Sequence, residues 1–215
     1  MIRSGLVLAA SALVLAACST APSTTDSAAT PAVTQPVDEF ALAMQTVNQL
    51  VDAGNTQTAI DRLTQLTGDP DLSREELAET LLRRGELRFS EQGYDLMGAI
   101  SDFEEIINDL PQTEAYSAAV PMLDIARGKA TSLNTLLVQP ETTRQEKFNI
   151  LMELGQHEEA IDLMIQSNLT PDNDTLVAMY QIGYLCEGDE LTGREYDAIE
   201  PDGTERTLRF CDFGK

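Results

Sequence analysis

The chain has 215 residues, 42% of them apolar and 5% aromatic, with no tryptophan, which gives room for one or two domains with a real core. Fourteen basic residues face 36 acidic ones, for a formal charge of −22. That balance excludes the basic surface that nucleic-acid binding requires, and it excludes electrostatic attraction to anionic lipid as a means of membrane contact.

Residues 1–17 begin with a positive charge at Arg3, continue through an apolar run from Leu6 to Leu15 and end in small residues. This is the layout of a secretory signal. The uncharged stretch 4–17 is 14 residues long, too short to cross a bilayer as a helix. Its end, Leu15-Ala16-Ala17-Cys18, resembles the lipobox of bacterial lipoproteins: an aliphatic residue, two small ones and a cysteine. The resemblance implies that residues 1–17 are a signal peptide removed on export and that the Cys18 thiol accepts a lipid. Buried acyl methylenes at about 0.8 kcal/mol each would then hold the protein on a membrane without a basic patch. Ser19 follows the cysteine where aspartate would imply inner-membrane retention. By the same resemblance the protein stands on the periplasmic face of the outer membrane. Losing residues 1–17 removes Arg3 and leaves 13 basic residues against 36 acidic, or −23.

Residues 18–37 are rich in Ser, Thr, Ala and Pro, with one charge at Asp26 and no apolar periodicity. Such a segment cannot bury enough surface to offset its ordering entropy, so it reads as a disordered tether.

Residues 38–185 read as helices, and three segments share one form. A glycine (Gly54, Gly93, Gly155) is followed by a few polar residues and then Ala-Ile at Ala59, Ala99 and Ala160, opening an apolar-periodic run. In the middle copy Leu96, Ala99, Ile100, Phe103, Ile106, Ile107 and Leu110 recur at three- and four-residue spacing, and Pro111 ends the run. Leu77, Leu81, Gly85 and Phe89 mark a partner helix, and Ser73 with Glu76 is a capping-box signature at its start. This copy resembles a tetratricopeptide repeat. Gly85 and Ala99 match the small residues that let two helices approach, Gly93 and Tyr94 the turn, Phe103 the packing aromatic and Pro111 the terminating proline. The flanking copies depart from the pattern, with Asn48 and Phe148 at the small-residue place and Met164 at the aromatic one. The alanines are also unevenly spaced, by 40 and then 61 residues. Residues 115–137 read as a further long helix, bent or broken near Pro121, whose Arg127-Gly128 echoes Arg84-Gly85. The expected fold is all-α: a tetratricopeptide-like solenoid of helical hairpins.

A last helix, about residues 172–185, precedes a C-terminal segment, 186–215. Residues 195–199 and 204–210 are strand-like, with Pro201-Asp202-Gly203 as the turn between them. An isolated hairpin is marginal in water, so this one is expected to cap the open end of the solenoid. If the lipoprotein resemblance puts the chain in an oxidising periplasm, Cys186 and Cys211 read as a disulfide staple.

The only histidine, His157, falls at a turn place that packing or exposure explains better than catalysis. No phosphate cradle, nucleophile elbow or complete calcium loop is present, and nothing calls for a cofactor or a metal. The expected function is therefore not enzymatic. It is a lipid-anchored adaptor that binds an envelope protein or peptide with a basic face, touches membrane through its anchor alone and binds no nucleic acid. The alternative is a divergent envelope enzyme, or an enzyme accessory, with its chemistry in the C-terminal segment.

Overall fold

Helix signals along residues 38–185 become eight helices in a computed structural model that describes residues 38–188 and 191–211. The signal peptide, Cys18 and the tether lie outside the described residues. The first hairpin pairs α1 (Glu39–Asp52) with α2 (Thr56–Thr67), and the second pairs α3 (Arg74–Phe89) with α4 (Leu96–Asp109). Then come α5 (Ala115–Leu137) and a third hairpin of α6 (Arg144–Leu154) and α7 (His157–Ser167), followed by α8 (Asn173–Ile182).

The starts of these helices follow from their side chains. Asp38, Ser73, Asp95, Thr143 and Asp172 each accept a bond from a backbone N–H of the first turn. Ser73 with Glu76 and Thr143 with Glu146 close full capping boxes. Gly155 ends α6 at φ +81°, a conformation that a side chain would strain. The middle copy differs from its sequence reading. Helix α3 stops at Phe89, and the left-handed residue of its turn is Tyr94, at φ +47°, rather than Gly93. Gly93 is required for another reason: a Cβ there would collide with the Leu87 and Arg88 carbonyls.

The close approach expected at Gly85 is present, since a Cβ there would lie 2.6 Å from the Phe103 ring. Ala59, Ala99, Phe103 and Ala160 are all fully buried. In the first copy the inner position is Val47, which is buried, and Asn48 is exposed one residue further on. Phe148 and Met164 fill the third copy from within. Helix α5 runs unbroken through Pro121. Its Gly128 does not repeat the role of Gly85, because a Cβ there would meet nothing within 4 Å.

The C-terminal segment forms a sheet of three antiparallel strands in the order β1-β3-β2, one strand more than a hairpin. Strands β2 (Tyr196–Ile199) and β3 (Glu205–Phe210) pair from Tyr196↔Leu208 to Ile199↔Glu205. Strand β1 (Leu185–Cys186) adds Leu185↔Phe210 and Cys186↔Arg209. The Pro201-Asp202-Gly203 loop closes through Gly203 N–H to the Glu200 carbonyl, with Gly203 at φ +87°. A disulfide joins Cys186 to Cys211.

Three buried clusters make the core. One lies among α3, α4, α5 and α6, a second among α6, α7, α8 and the sheet, and a third in the first hairpin with Leu87. The sheet packs on α8, and α8 in turn packs on α2. Pro201 at the hairpin tip rests on Gly54, in the turn of the first hairpin. The C-terminal segment therefore joins the last helix to the first hairpin instead of covering a free end.

Candidate functional site

The three glycine-bearing turns stand side by side. Gln57, the second residue of α2, donates its amide to the carbonyls of Gln92 and Gly93, both at 2.9 Å, linking the first turn to the second. His157, at the start of α7, donates from Nε2 to the Tyr94 carbonyl at 2.6 Å. Gly155 lies against Asp95 so closely that a Cβ would fall 2.6 Å from its carboxylate. His157 also meets the edge of Tyr184, with ring centroids 5.9 Å apart. The lone histidine is thus a packing and hydrogen-bonding residue between two turns.

A cleft of about 570 Å³ opens beside this row of turns. Gly54, Gln57, Gln92 and Tyr94 form its turn side; Asp174, Val177, Ala178 and Gln181 of α8 face them. Ile199, Glu200 and Pro201 at the hairpin tip close one end. The Tyr94 hydroxyl and the Thr175 hydroxyl share a 3.3 Å hydrogen bond across the cleft wall. Burial pushes the Tyr94 phenol above its ordinary range, and the carboxylates of Asp172, Asp174 and Glu153 push it further. Among the described residues no Lys, Arg or His lines the cleft.

Two other depressions are less built. A groove of about 730 Å³ between α4 and α5 is floored by Ile100 and Ala130, with Met97 and Val138 exposed along it, but its one ion pair, Glu104–Arg127, is internal. The second lies on α3, the first helix of the middle copy. There Glu75, Glu79 and Leu82 meet Glu114 in a shallow hollow. Among the described residues no group of three His, Cys, Asp or Glu is arranged to hold a metal ion.

The residues that tie the second hairpin together were missed in the sequence. Asp102, 1% exposed, accepts Arg84 Nη2 at 2.6 Å and Arg88 Nη1 at 2.9 Å. Arg84 also reaches Thr67 Oγ1 at 3.0 Å, bringing α2 into the network. Arg88 lies 3.1 Å from Asp95, which caps α4 through Gly98 N–H. The signal was a carboxylate inside an apolar stripe: Asp102 falls between Ala99 and Ile106 at three- and four-residue spacing.

In the C-terminal segment two arginines pair with carboxylates of the same segment. Arg206 binds Glu200 at 2.6 Å and Glu187 at 2.7 Å, and Arg209 binds Glu195. No protein-family model, curated protein or solved structure matches the chain. Among the described residues no helix is long and apolar enough to cross a membrane.

Proposed function

We propose that the chain is a non-enzymatic adaptor of the bacterial cell envelope, held by a lipid on Cys18 at the periplasmic face of the outer membrane. Its helical hairpins are tetratricopeptide-like in this reading, and they hold a protein or peptide partner near the membrane. The observation that carries the binding role is the cleft beside the three turns, a concave site walled by two hairpins, α8 and the sheet. The anchor rests on the lipobox resemblance at Leu15-Ala16-Ala17-Cys18. The charge of −23 left once residues 1–17 are removed, 13 basic against 36 acidic, favours a partner with a basic face, since complementary fields raise association rates and select against acidic competitors.

Affinity capture from crosslinked envelopes tests the reading. The wild type is compared with Cys18→Ser and with Ile199→Lys, a change on a cleft residue that is 53% exposed and has room for a longer side chain. The expected result is one partner captured by the wild type and lost with Ile199→Lys, together with palmitate label lost from Cys18→Ser. Undiminished label on the serine variant removes the anchor. Turnover of a cell-wall or peptide substrate by the purified protein, with no partner captured, replaces the adaptor with an enzyme.

A further inference from the structure

Three of the amides along the cleft turn donors toward the protein itself. Gln57 Nε2 is engaged by two carbonyls, which fixes its Oε1 as the remaining acceptor. Asn173 bonds Ile199 in both directions, donating to its carbonyl at 3.0 Å and accepting from its N–H at 2.7 Å. Gln181 Nε2 donates to Glu200 Oε2 at 3.4 Å, leaving its oxygen and one N–H. Glu200 is itself held by Arg206. Asp174 makes no ion pair among those formed by the described residues; its one bond is a 3.5 Å contact from the neighbouring Asn173 amide.

The cleft therefore offers carbonyl oxygens, a free carboxylate and the ring of Tyr94, and it lacks a cationic side chain. The field of two carboxylates at the start of α8, Asp172 and Asp174, offsets the positive end of that helix. Across the cleft, α2 begins at Thr56 and Gln57 with no side chain capping its first turn and no acidic residue there, so its backbone N–H groups are left to donate to a carbonyl. Val177, Ala178 and Pro201 supply apolar wall. A ligand that matches must bring a cationic donor for Asp174 and Tyr94, backbone-like carbonyls for α2 and some apolar surface.

We infer that the cleft binds an extended peptide segment carrying a lysine or arginine side chain, with that side chain placed between Asp174 and the Tyr94 ring. The inference rests on the adaptor reading and names the ligand chemistry of its site. The ammonium or guanidinium replaces its water with the Asp174 carboxylate and the aromatic face, and the apolar stem lies along Val177 and Ala178.

Selection of a randomised, end-blocked heptapeptide library on the purified full chain tests this. The expected outcome is enrichment of Lys or Arg at one position, at least tenfold weaker binding of the selected peptide to Asp174→Asn, and a marked loss of affinity as salt rises. With Asp174→Lys the preference at that position should turn to Asp or Glu, a reversal that a merely structural role for Asp174 cannot produce. Thermal unfolding of both variants checks that the fold is kept. Enrichment of neutral or acidic residues by the wild type, no enrichment at all, or a basic preference unmoved by Asp174→Lys each overturns the inference. If that happens while envelope capture still depends on Ile199, the ligand class is wrong and the adaptor reading stands. A basic preference that Asp174→Lys reverses, without any envelope partner, supports the cleft chemistry and removes the adaptor.

Discussion

At the scale of single residues, two glycines in similar sequence surroundings have opposite roles. Gly85 faces Phe103, a ring with no exposure and hence no room to move, and a Cβ would stand 2.6 Å from it. Gly128 sits in an exposed stretch of α5 with open space where its Cβ would be. Alanine gains about 1 kcal/mol of helix preference at either site, and overpacking at a closed site costs about 1–3 kcal/mol. Gly85→Ala should therefore lose about 1 kcal/mol net, and Gly128→Ala should gain about 0.5–1 kcal/mol, both read from urea unfolding midpoints. The Gly85–Phe103 contact was legible because the repeat pattern carries it. Asp102 was not, because a lone acid in a helix looks like part of a solvated face until its partners are known. Removing it strands the charge of buried Arg84 and of largely buried Arg88. Asp102→Ala should cost about 3–5 kcal/mol, well beyond an exposed carboxylate such as Glu205, and a chemical denaturation series on the two variants would show the difference.

At the scale of elements, the start of α3 and the glycine end of α6 were readable in the sequence, and the end of α3 was not. Capping side chains act within four residues, so Ser73 with Glu76 could be found from spacing alone. The end of α3 is set by what its turn must do next, where Gly93 passes under two carbonyls and Tyr94 turns left-handed beside His157. The second capping box, Thr143 with Glu146, gives a pH dependence. Hydrogen bonds from the Thr143 hydroxyl and backbone hold the Glu146 carboxyl below its ordinary value of 4.5. A group whose pKa is depressed on folding adds stability above its unfolded pKa and loses it as pH falls through the folded one. The start of α6 should thus loosen below about pH 4.5, seen as faster amide exchange there. Glu146→Gln keeps an acceptor but no charge, and its profile should be flatter over the same range. An equal acid response in both proteins would assign the loosening to another carboxylate.

At the scale of the whole unit, the sequence could show three related turns but not that they touch. Spacings of 40 and 61 residues between the alanines suggest a third copy displaced from the second. Folding α5 along the second hairpin instead brings Gly155 and His157 back against Asp95 and Tyr94. The same return puts α8 on α2 and Pro201 on Gly54, contacts between residues too distant in sequence for any local pattern to encode. This closure makes a prediction that distinguishes it from an open stack. The disulfide spans a separation of 25 residues, and opening it releases about 3 kcal/mol of loop constraint from the unfolded chain. In an open stack each hairpin answers only to its neighbours, so reduction would raise exchange in the sheet and α8 and leave the first hairpin as it was. Here the sheet positions Ile199 on Asn173 and Pro201 on Gly54, and α8 supports α2 directly. Reduction, or Cys186→Ser with Cys211→Ser, should therefore raise amide exchange at residues 54–57 along with the sheet and α8. The row of turns should follow, since Gln57 carries the link to Gln92 and Gly93. Hydrogen-exchange mass spectrometry on the oxidised and reduced protein reads all of these segments at once. Unchanged protection at residues 54–57, with the sheet fully loosened, would mean that the first hairpin stands without the C-terminal segment, and that the cleft between them is held by its own walls.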